Sequence, residues 1–389
     1  MTQPMPLRTV REGIELSPIK AMELKASAIP DVVSLAQGIP SFDTLDIIKR
    51  AAIDAIRDGK VSKYSLSPGL PALREAIELD LRGDHLYYDY SKEILITAGS
   101  IEAITAILLT ILEPGSEVVI FSPSYASYPQ AVKVAHGKVV WVSLDEDNGW
   151  SLNLDRVEQA ITPQTRVILF ANPNNPTGTV IGRDQLQALA KLAKRHSIYL
   201  LIDEVYKELR YSNQPYWNPA SDPTVKDFIV TIYSFSKIYA MTGWRVAFAA
   251  GEASLMQEVL KVHDALVTCA PVVSQYAALA ALELAKTDRE DVRKELEFRR
   301  NYLCERLDRL KPFFTYQFPT ASYFVFPRYR RDQPSVEFAN ELLERAHVAV
   351  VAGSAFGPAG EHHIRLCFGR AREDIDRAIS RIASYIQIL

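Results

Sequence analysis

Lys237 ends the stretch Ser234-Phe235-Ser236-Lys237. This stretch follows, after one tyrosine, the apolar run Phe-Ile-Val-Thr-Ile at residues 228–232. The run predicts a buried strand of a parallel sheet. A desolvated lysine has a lowered pKa, so its free amine can attack a carbonyl and form a Schiff base. Ser234, Ser236 and Arg245 are suited to donate to a phosphate. These groups together indicate pyridoxal phosphate, an aldehyde with a phosphate, although Ser-x-Ser-Lys alone also fits a solvated surface lysine.

Polar and aromatic residues follow other predicted strands as well. Gly99-Ser100-Ile101 opens a helix, where free N–H groups and the helix dipole favour a phosphate. Tyr125 is placed to stack on a cofactor ring. Asp203 could face a pyridine nitrogen, or it could cap the next helix. Tyr206 and Asn175 could both reach the 3′ oxygen of the ring.

Arg365 interrupts an apolar run at residues 363–368. A buried guanidinium suits a planar anion, and its fork fits the carboxylate of an amino-acid substrate. A structural ion pair with an acidic residue is the alternative. Beside such a substrate, Lys237 would act as the base that moves a proton between the substrate Cα and the cofactor, which is the 1,3-shift of transamination.

The elements that position these residues are short apolar strands alternating with helical patterns. This alternation predicts an α/β fold with a mostly parallel, seven-stranded sheet covered by helices, and ligands on such sheets bind beyond the carboxyl ends of the strands. The predicted strands lie at residues 94–97, 117–121, 139–143, 166–172, 198–203, 228–234 and 245–250.

The 389 residues are too many for one compact core, so more than one domain is expected. Residues 1–45 are assigned to an N-terminal arm and part of a small domain. Residues 46–290 are assigned to a large cofactor-binding domain, and residues 291–389 to a small C-terminal α/β domain. Long helices are predicted at residues 257–285 and 291–310.

Charge and composition exclude several classes of protein. With 44 basic and 47 acidic residues the net charge is −3, which argues against a nucleic-acid or anionic-membrane partner. No spacing of histidine and cysteine suits a metal, and no apolar run is long enough to span a membrane. Three dispersed cysteines and the lack of a signal-like segment predict a cytoplasmic protein.

In these residues the chain resembles the class I/II pyridoxal-phosphate-dependent aminotransferases of fold type I, which is the aspartate aminotransferase-like family. The resemblance covers residues 30–389. The resemblance rests on six elements in a fixed order. They are Tyr64…Gly69…Leu73-Arg74, Gly99-Ser100, Asn174-Asn175-Pro176-Thr177-Gly178, Asp203-Glu204-Val205-Tyr206, Ser234-Phe235-Ser236-Lys237 with Gly243-x-Arg245, and Ile364-Arg365-Leu366.

The resemblance implies a role for each of these positions. Lys237 would carry the cofactor, Asp203 would pair with the pyridine nitrogen, and Tyr206 and Asn175 would bind the 3′ oxygen. The phosphate would be held by Ser234, Ser236, Arg245, Ser100 and Ile101. Arg365, helped by Gly38 and Asn175, would take the substrate carboxylate. Tyr64 would reach the phosphate of a neighbouring subunit, which implies a homodimer with shared active sites.

The implied reaction is amino transfer from an L-amino acid to a 2-oxo acid. Ile101 stands where some aspartate-using relatives have a basic residue, which favours neutral or aromatic substrates, and Glu102 stands where a glutamine is usual. A C–S β-lyase or an aminocyclopropane-carboxylate-synthase-like eliminase would use the same fold and site. A ligand-sensing regulator on this fold would need a DNA-binding module, for which the sequence offers no basic patch.

Overall fold

The computed structural model describes residues 7, 13–212, 215–284 and 286–387. Part of the predicted N-terminal arm, residues 1–6 and 8–12, lies outside the described residues. The described strands are mostly short and apolar. They are β1 (Val33–Ser34), β2 (Ile94–Thr97), β3 (Glu117–Ser122), β4 (Lys138–Ser143), β5 (Thr165–Ala171), β6 (Tyr199–Asp203), β7 (Ile229–Ser234), β8 (Ala247–Ala250), β9 (Phe314–Thr315), β10 (Phe324–Val325), β11 (Arg328–Tyr329), β12 (Val348–Ala349), β13 (Val351–Ala352) and β14 (Ile364–Cys367).

The α-helices of the described residues alternate with the strands through the first two thirds of the chain. They are α1 (Pro18–Ser27), α2 (Asp46–Arg57), α3 (Pro71–Gly83), α4 (Ser100–Ile111), α5 (Tyr128–Val134), α6 (Leu154–Ala160), α7 (Arg183–His196), α8 (Ala253–Val267), α9 (Val272–Leu284), α10 (Lys286–Asp308), α11 (Ser335–Ala346) and α12 (Arg372–Ile386). None of these helices has the length and apolarity needed to cross a membrane.

Seven strands form the central sheet in the order β2-β8-β7-β6-β5-β3-β4. β8 runs antiparallel to both of its neighbours, and the other pairs are parallel. This confirms the predicted α/β fold with its mostly parallel sheet. The parallel strands β3, β5, β6 and β7 end at one edge, where the predicted site residues follow.

Successive side chains of a strand point to opposite sides of the sheet, and in this sheet both sides are buried. In β5, Ile168 and Phe170 pack into one hydrophobic cluster, while Val167 and Leu169 pack into the other. Both clusters consist of buried, mostly aliphatic and aromatic side chains. The carboxyl edge is therefore held by a sheet that is packed from two sides.

Short strands from both ends of the chain form smaller sheets. β10, β14 and β13 make an antiparallel sheet in that order, and β1 pairs in parallel with β12. The N-terminal strand thus joins C-terminal elements, which fits the assignment of part of residues 1–45 to the smaller domain. The predicted domain limits at residues 45 and 290 stay a prediction.

The prediction of one continuous helix at residues 257–285 is wrong, because two separate helices cover this region. α8 ends at Val267, Thr268 has a φ of 63°, and α9 begins only at Val272. Pro271 stands between them, and proline has no N–H to continue a helical hydrogen-bond ladder. Apolar periodicity continues through both helices, so the pattern alone did not reveal the break.

Candidate active site

Lys237 lies three residues beyond the end of β7, with its side chain partly buried. Its Nζ donates to the carbonyl oxygen of Gly38 at 3.1 Å. The ring centroids of Tyr206 and Tyr323 lie 5.9 Å and 5.8 Å from the same nitrogen. Burial lowers the pKa of the Lys237 amine to about 8. The amine is therefore much easier to deprotonate than that of an ordinary surface lysine, as a nucleophile or base requires.

Asp203 is the last residue of β6 and is buried. Tyr128 donates its hydroxyl to Oδ2 at 2.7 Å, and the backbone N–H of Val205 donates to Oδ1 at 3.3 Å. Burial raises the pKa of Asp203 to about 6, while the bond from Tyr128 acts in the opposite direction. A cationic N–H placed beside this carboxylate would restore the charge stabilisation that burial removes.

Tyr206 is buried beside the same lysine. Its ring makes edge contacts with Tyr323 at 5.4 Å and with Phe324 at 5.8 Å between centroids. Burial raises the pKa of Tyr206 above the ordinary value for tyrosine, so the phenol is neutral and can donate its proton in a hydrogen bond. Tyr125, the predicted stacking residue, is partly buried and contacts Tyr128 edge-on at 5.3 Å.

Arg365 lies in the middle of β14 and is only 1% exposed. It donates to Oδ1 of Asn175 at 3.0 Å and to the carbonyl oxygen of Ala36 at 2.5 Å. Its Nε has no partner among the described residues. The guanidinium also lies 4.1 Å from the ring centroid of Phe324. All of these partners are neutral, so the contacts favour an anionic ligand over a structural ion pair.

Residues 98–101 and Arg245 form a second cationic region at the start of α4. Arg245 is exposed and donates from Nη2 to the carbonyl oxygen of Ala98 at 3.4 Å. Gly99 has a φ of 97°, and a Cβ there would lie 2.1 Å from Nη2 of Arg245. Only glycine lets the guanidinium approach the helix start this closely, while Ser100 and Ile101 begin the helix. The region places the N–H donors of a helix start beside a guanidinium, a combination suited to a phosphate.

The loop after β7 supplies further groups to this region. The hydroxyl of Ser234 accepts from the backbone N–H of Ser236 at 3.1 Å, so the loop folds back on itself. Arg245 has a φ of 54°, a conformation that costs energy for any residue other than glycine. Such strained residues concentrate at functional sites, where the surrounding structure maintains them.

Gly38 and Tyr64 complete the predicted set. The carbonyl of Gly38 accepts from both Lys237 and the hydroxyl of Tyr323, and a Cβ on Gly38 would lie 2.7 Å from the ring of Phe324. Tyr64, in contrast, is 83% exposed. The structure therefore brings the predicted residues together at one edge of the sheet, except Tyr64, whose predicted target belongs to a second copy.

Two contacts at this site were not foreseen from the sequence. Tyr128 orients the Asp203 carboxylate, and Tyr323 shares the Gly38 carbonyl with Lys237. Neither tyrosine belongs to a recognisable motif. The nearest sequence signal is the position of Tyr128 at the start of a helix that follows a strand end.

The side chains and N–H groups of this site match the chemical groups of pyridoxal phosphate. An amine of lowered pKa suits the aldehyde, and a buried carboxylate without an ion-pair partner in the described residues suits the pyridine N–H. The helix start at Gly99, with the Arg245 guanidinium close to it, suits the phosphate. The unpaired Nε of Arg365 suits a substrate carboxylate. The residues present therefore fit this cofactor and an amino-acid substrate.

Comparisons with known proteins agree with this chemistry. A family model for aminotransferase class I and II matches residues 30–382. An aspartate aminotransferase of Pyrococcus abyssi is 34% identical over 366 residues, covering 93% of each chain. Aromatic-amino-acid aminotransferase 2 of Thermococcus litoralis is 34% identical over 380 residues, covering 97% of each chain. The solved structure of the aspartate aminotransferase from Thermus thermophilus with maleate superposes with a TM-score of 0.92 at 33% identity, covering 98% of this chain and 100% of that chain.

Proposed function

The chain belongs to the aminotransferase class I and II family, and from that premise we propose that it transfers an amino group from an L-amino acid to a 2-oxo acid with pyridoxal phosphate as cofactor. The observation that carries the proposal is the setting of one amine, which donates to the Gly38 carbonyl and lies beside two aromatic rings. Burial lowers the pKa of Lys237, and the charges of Arg365, Asp203 and Arg245 also act on it. A fold alone does not imply a reaction, but this set of groups serves the chemistry of the family.

Pyridoxal phosphate, when bound, supplies an electron-accepting ring that allows the Cα–H bond of an amino acid to break. Lys237 would hold the cofactor through its aldehyde and would then act as the base that moves a proton between the substrate Cα and the cofactor. Asp203, oriented by Tyr128, would stabilise positive charge at the ring nitrogen. Tyr206 and Asn175 would donate to the ring oxygen.

In this proposal, Arg365 binds the carboxylate of the substrate. Its guanidinium is held between neutral acceptors and aromatic rings, so a substrate carboxylate meets a cation that no acidic side chain of the described residues has neutralised. The rings of Tyr206 and Tyr323 lie beside Lys237 and contribute to the burial that lowers the pKa of its amine.

The proposed substrates are neutral or aromatic amino acids. The side chains that surround Lys237 and Arg365 are largely aromatic, namely Tyr206, Tyr323 and Phe324. Ile101, in the first turn of α4, is apolar and partly buried, so it offers no charge to a second carboxylate. Both features support substrates without a charged side chain.

We also propose a homodimer with shared active sites. Tyr64, Leu66 and Leu266 are large, exposed side chains. They lie on neighbouring segments, since Ser67 donates to Asp264 at 2.7 Å. A second copy covering this region would bury apolar surface and receive Tyr64 near its own phosphate site.

A cytoplasmic location is part of the proposal. Cys269, Cys304 and Cys367 are free thiols, and a reducing compartment keeps thiols in this state.

Amino-acid turnover tests the reaction class. With pyridoxal phosphate bound and no acceptor, one equivalent of a neutral or aromatic amino acid per active site should yield one equivalent of its 2-oxo acid without ammonia. Adding 2-oxoglutarate or pyruvate should make the reaction catalytic. A panel of donors, analysed by mass spectrometry of both products, measures this. Continuous release of pyruvate and ammonia from one substrate would instead identify a β-lyase, and the aminotransferase proposal would be wrong.

A further inference from the structure

Glu102 lies in the first turn of α4, directly behind the proposed phosphate-binding residues. Its Oε2 accepts from the backbone N–H of Ala98 at 3.0 Å. A glutamate in the first turn of a helix can reach back and accept from an N–H group just before the helix. Glu102 therefore fixes the peptide group that joins Thr97 to Ala98, one residue before Gly99.

His263 holds the other oxygen of this carboxylate. Its Nδ1 lies 3.0 Å from Oε1 of Glu102, and the ring is fully buried between α8 and α4. Because a carboxylate only accepts, Nδ1 carries the proton in this bond. The Nε2 of His263 has no partner among the described residues, so its bond to Glu102 is its one polar contact there.

Ala98 is held through both of the peptide groups that flank its Cα. Glu102 bonds its N–H, and Arg245 bonds its carbonyl oxygen at 3.4 Å. Gly99 follows at once, in the conformation that leaves room for the Arg245 guanidinium. The backbone conformation at Ala98 therefore sets where the N–H groups at the start of α4 and the guanidinium meet.

We propose that Glu102 is a positioning residue for the phosphate-binding region and that His263 orients its carboxylate. The inference rests on the proposed function, in which residues 98–101 and Arg245 bind the phosphate of pyridoxal phosphate. Glu102 is not one of the groups proposed to bind cofactor or substrate; it acts through the backbone at Ala98.

Binding to the cofactor-free protein tests this role without measuring turnover. Pyridoxal phosphate and pyridoxal, which lacks the phosphate, are titrated against each variant, and the ratio of their affinities is compared. Glu102→Ala should lower the ratio about 10-fold, the loss expected from one well-placed hydrogen bond to a charged group. Glu102→Gln should restore it, because the amide oxygen can still accept from Ala98. His263→Gln should lower the ratio by about threefold, since the carboxylate would keep its bond but lose its orientation.

Glu252→Ala is the matched control. Glu252 caps α8 and accepts from the backbone N–H groups of Ser254 at 2.9 Å and Leu255 at 3.0 Å, away from Ala98. Its loss should lower the thermal stability, as the loss of the Glu102 cap should, without changing the affinity ratio.

An unchanged ratio in a folded Glu102→Ala protein would overturn the inference, and so would a Glu102→Gln protein that behaves like Glu102→Ala. An unchanged ratio in His263→Gln would remove the orienting role of His263. If the wild-type protein itself shows no preference for pyridoxal phosphate over pyridoxal, the proposed function fails first.

Discussion

The Lys237→Ala variant is expected to lose at least about 10⁴-fold in kcat, because a positioned general base alone contributes up to that factor and the lysine also serves as nucleophile. The amine of Lys237 is the one that burial brings to a pKa of about 8, beside Asp203 and Arg365. Product formation in the presence of excess pyridoxal phosphate, with a neutral or aromatic amino acid and 2-oxoglutarate, measures the loss.

Two further variants separate chemistry from charge and folding. Lys237→Arg keeps a cation at the site but offers no amine of lowered pKa, so its activity should fall as far as that of Lys237→Ala. Lys261→Ala removes an exposed lysine that pairs with Glu258 at 2.6 Å, and its activity should equal the wild type. A folded Lys237→Ala protein that retains more than about a tenth of the wild-type rate would contradict the assignment.

The Arg365→Lys variant is expected to raise the KM for the amino acid about 100-fold with a smaller change in kcat. Lysine keeps the positive charge but cannot form two parallel bonds to a carboxylate, and a charge-assisted hydrogen bond contributes about 1.5–3 kcal/mol. The present acceptors, Asn175 and the Ala36 carbonyl, show that the fork is already held in place. Steady-state kinetics over a wide range of donor concentration measure the KM.

Arg300→Lys is the matched control, since Arg300 is also a buried arginine but pairs with Glu297 at 3.1 Å. It should lower stability and leave the KM unchanged. A primary amine without a carboxylate adds a second test, because wild type and Arg365→Lys should turn it over with equal kcat/KM. A KM within about twofold of wild type in a folded Arg365→Lys protein would refute the role of Arg365.

The central sheet was predictable because each of its strands is indicated by a short, continuous stretch of the sequence. Strands such as β5 and β7 are continuous apolar runs bounded by turn residues, and their carboxyl ends carry the polar side chains that the fold brings together. Asp203 and Lys237 could be predicted at this edge because Asp203 ends such a run and Lys237 lies three residues beyond another.

Contacts between distant parts of the chain could not be read in this way. The hydroxyl of Tyr323 meets the carbonyl of Gly38 across 285 residues of sequence, and no pattern at either position indicates the pairing. The neutral partners of Arg365 are also contacts between distant parts of the chain, so they could not be predicted either. An arginine within an apolar strand predicts burial, but whether an acidic residue accompanies it depends on how β14 packs against two other segments.

The most direct test of the central claim is chemical trapping of the cofactor on the wild-type protein. Borohydride reduction in the presence of pyridoxal phosphate fixes the pyridoxyl group on whichever amine holds it, and peptide mapping by mass spectrometry locates it. We predict one pyridoxyl group per chain, on the peptide that contains Lys237. Labelling of a different lysine in an active preparation, with Lys237 unmodified, would contradict the assignment of Lys237.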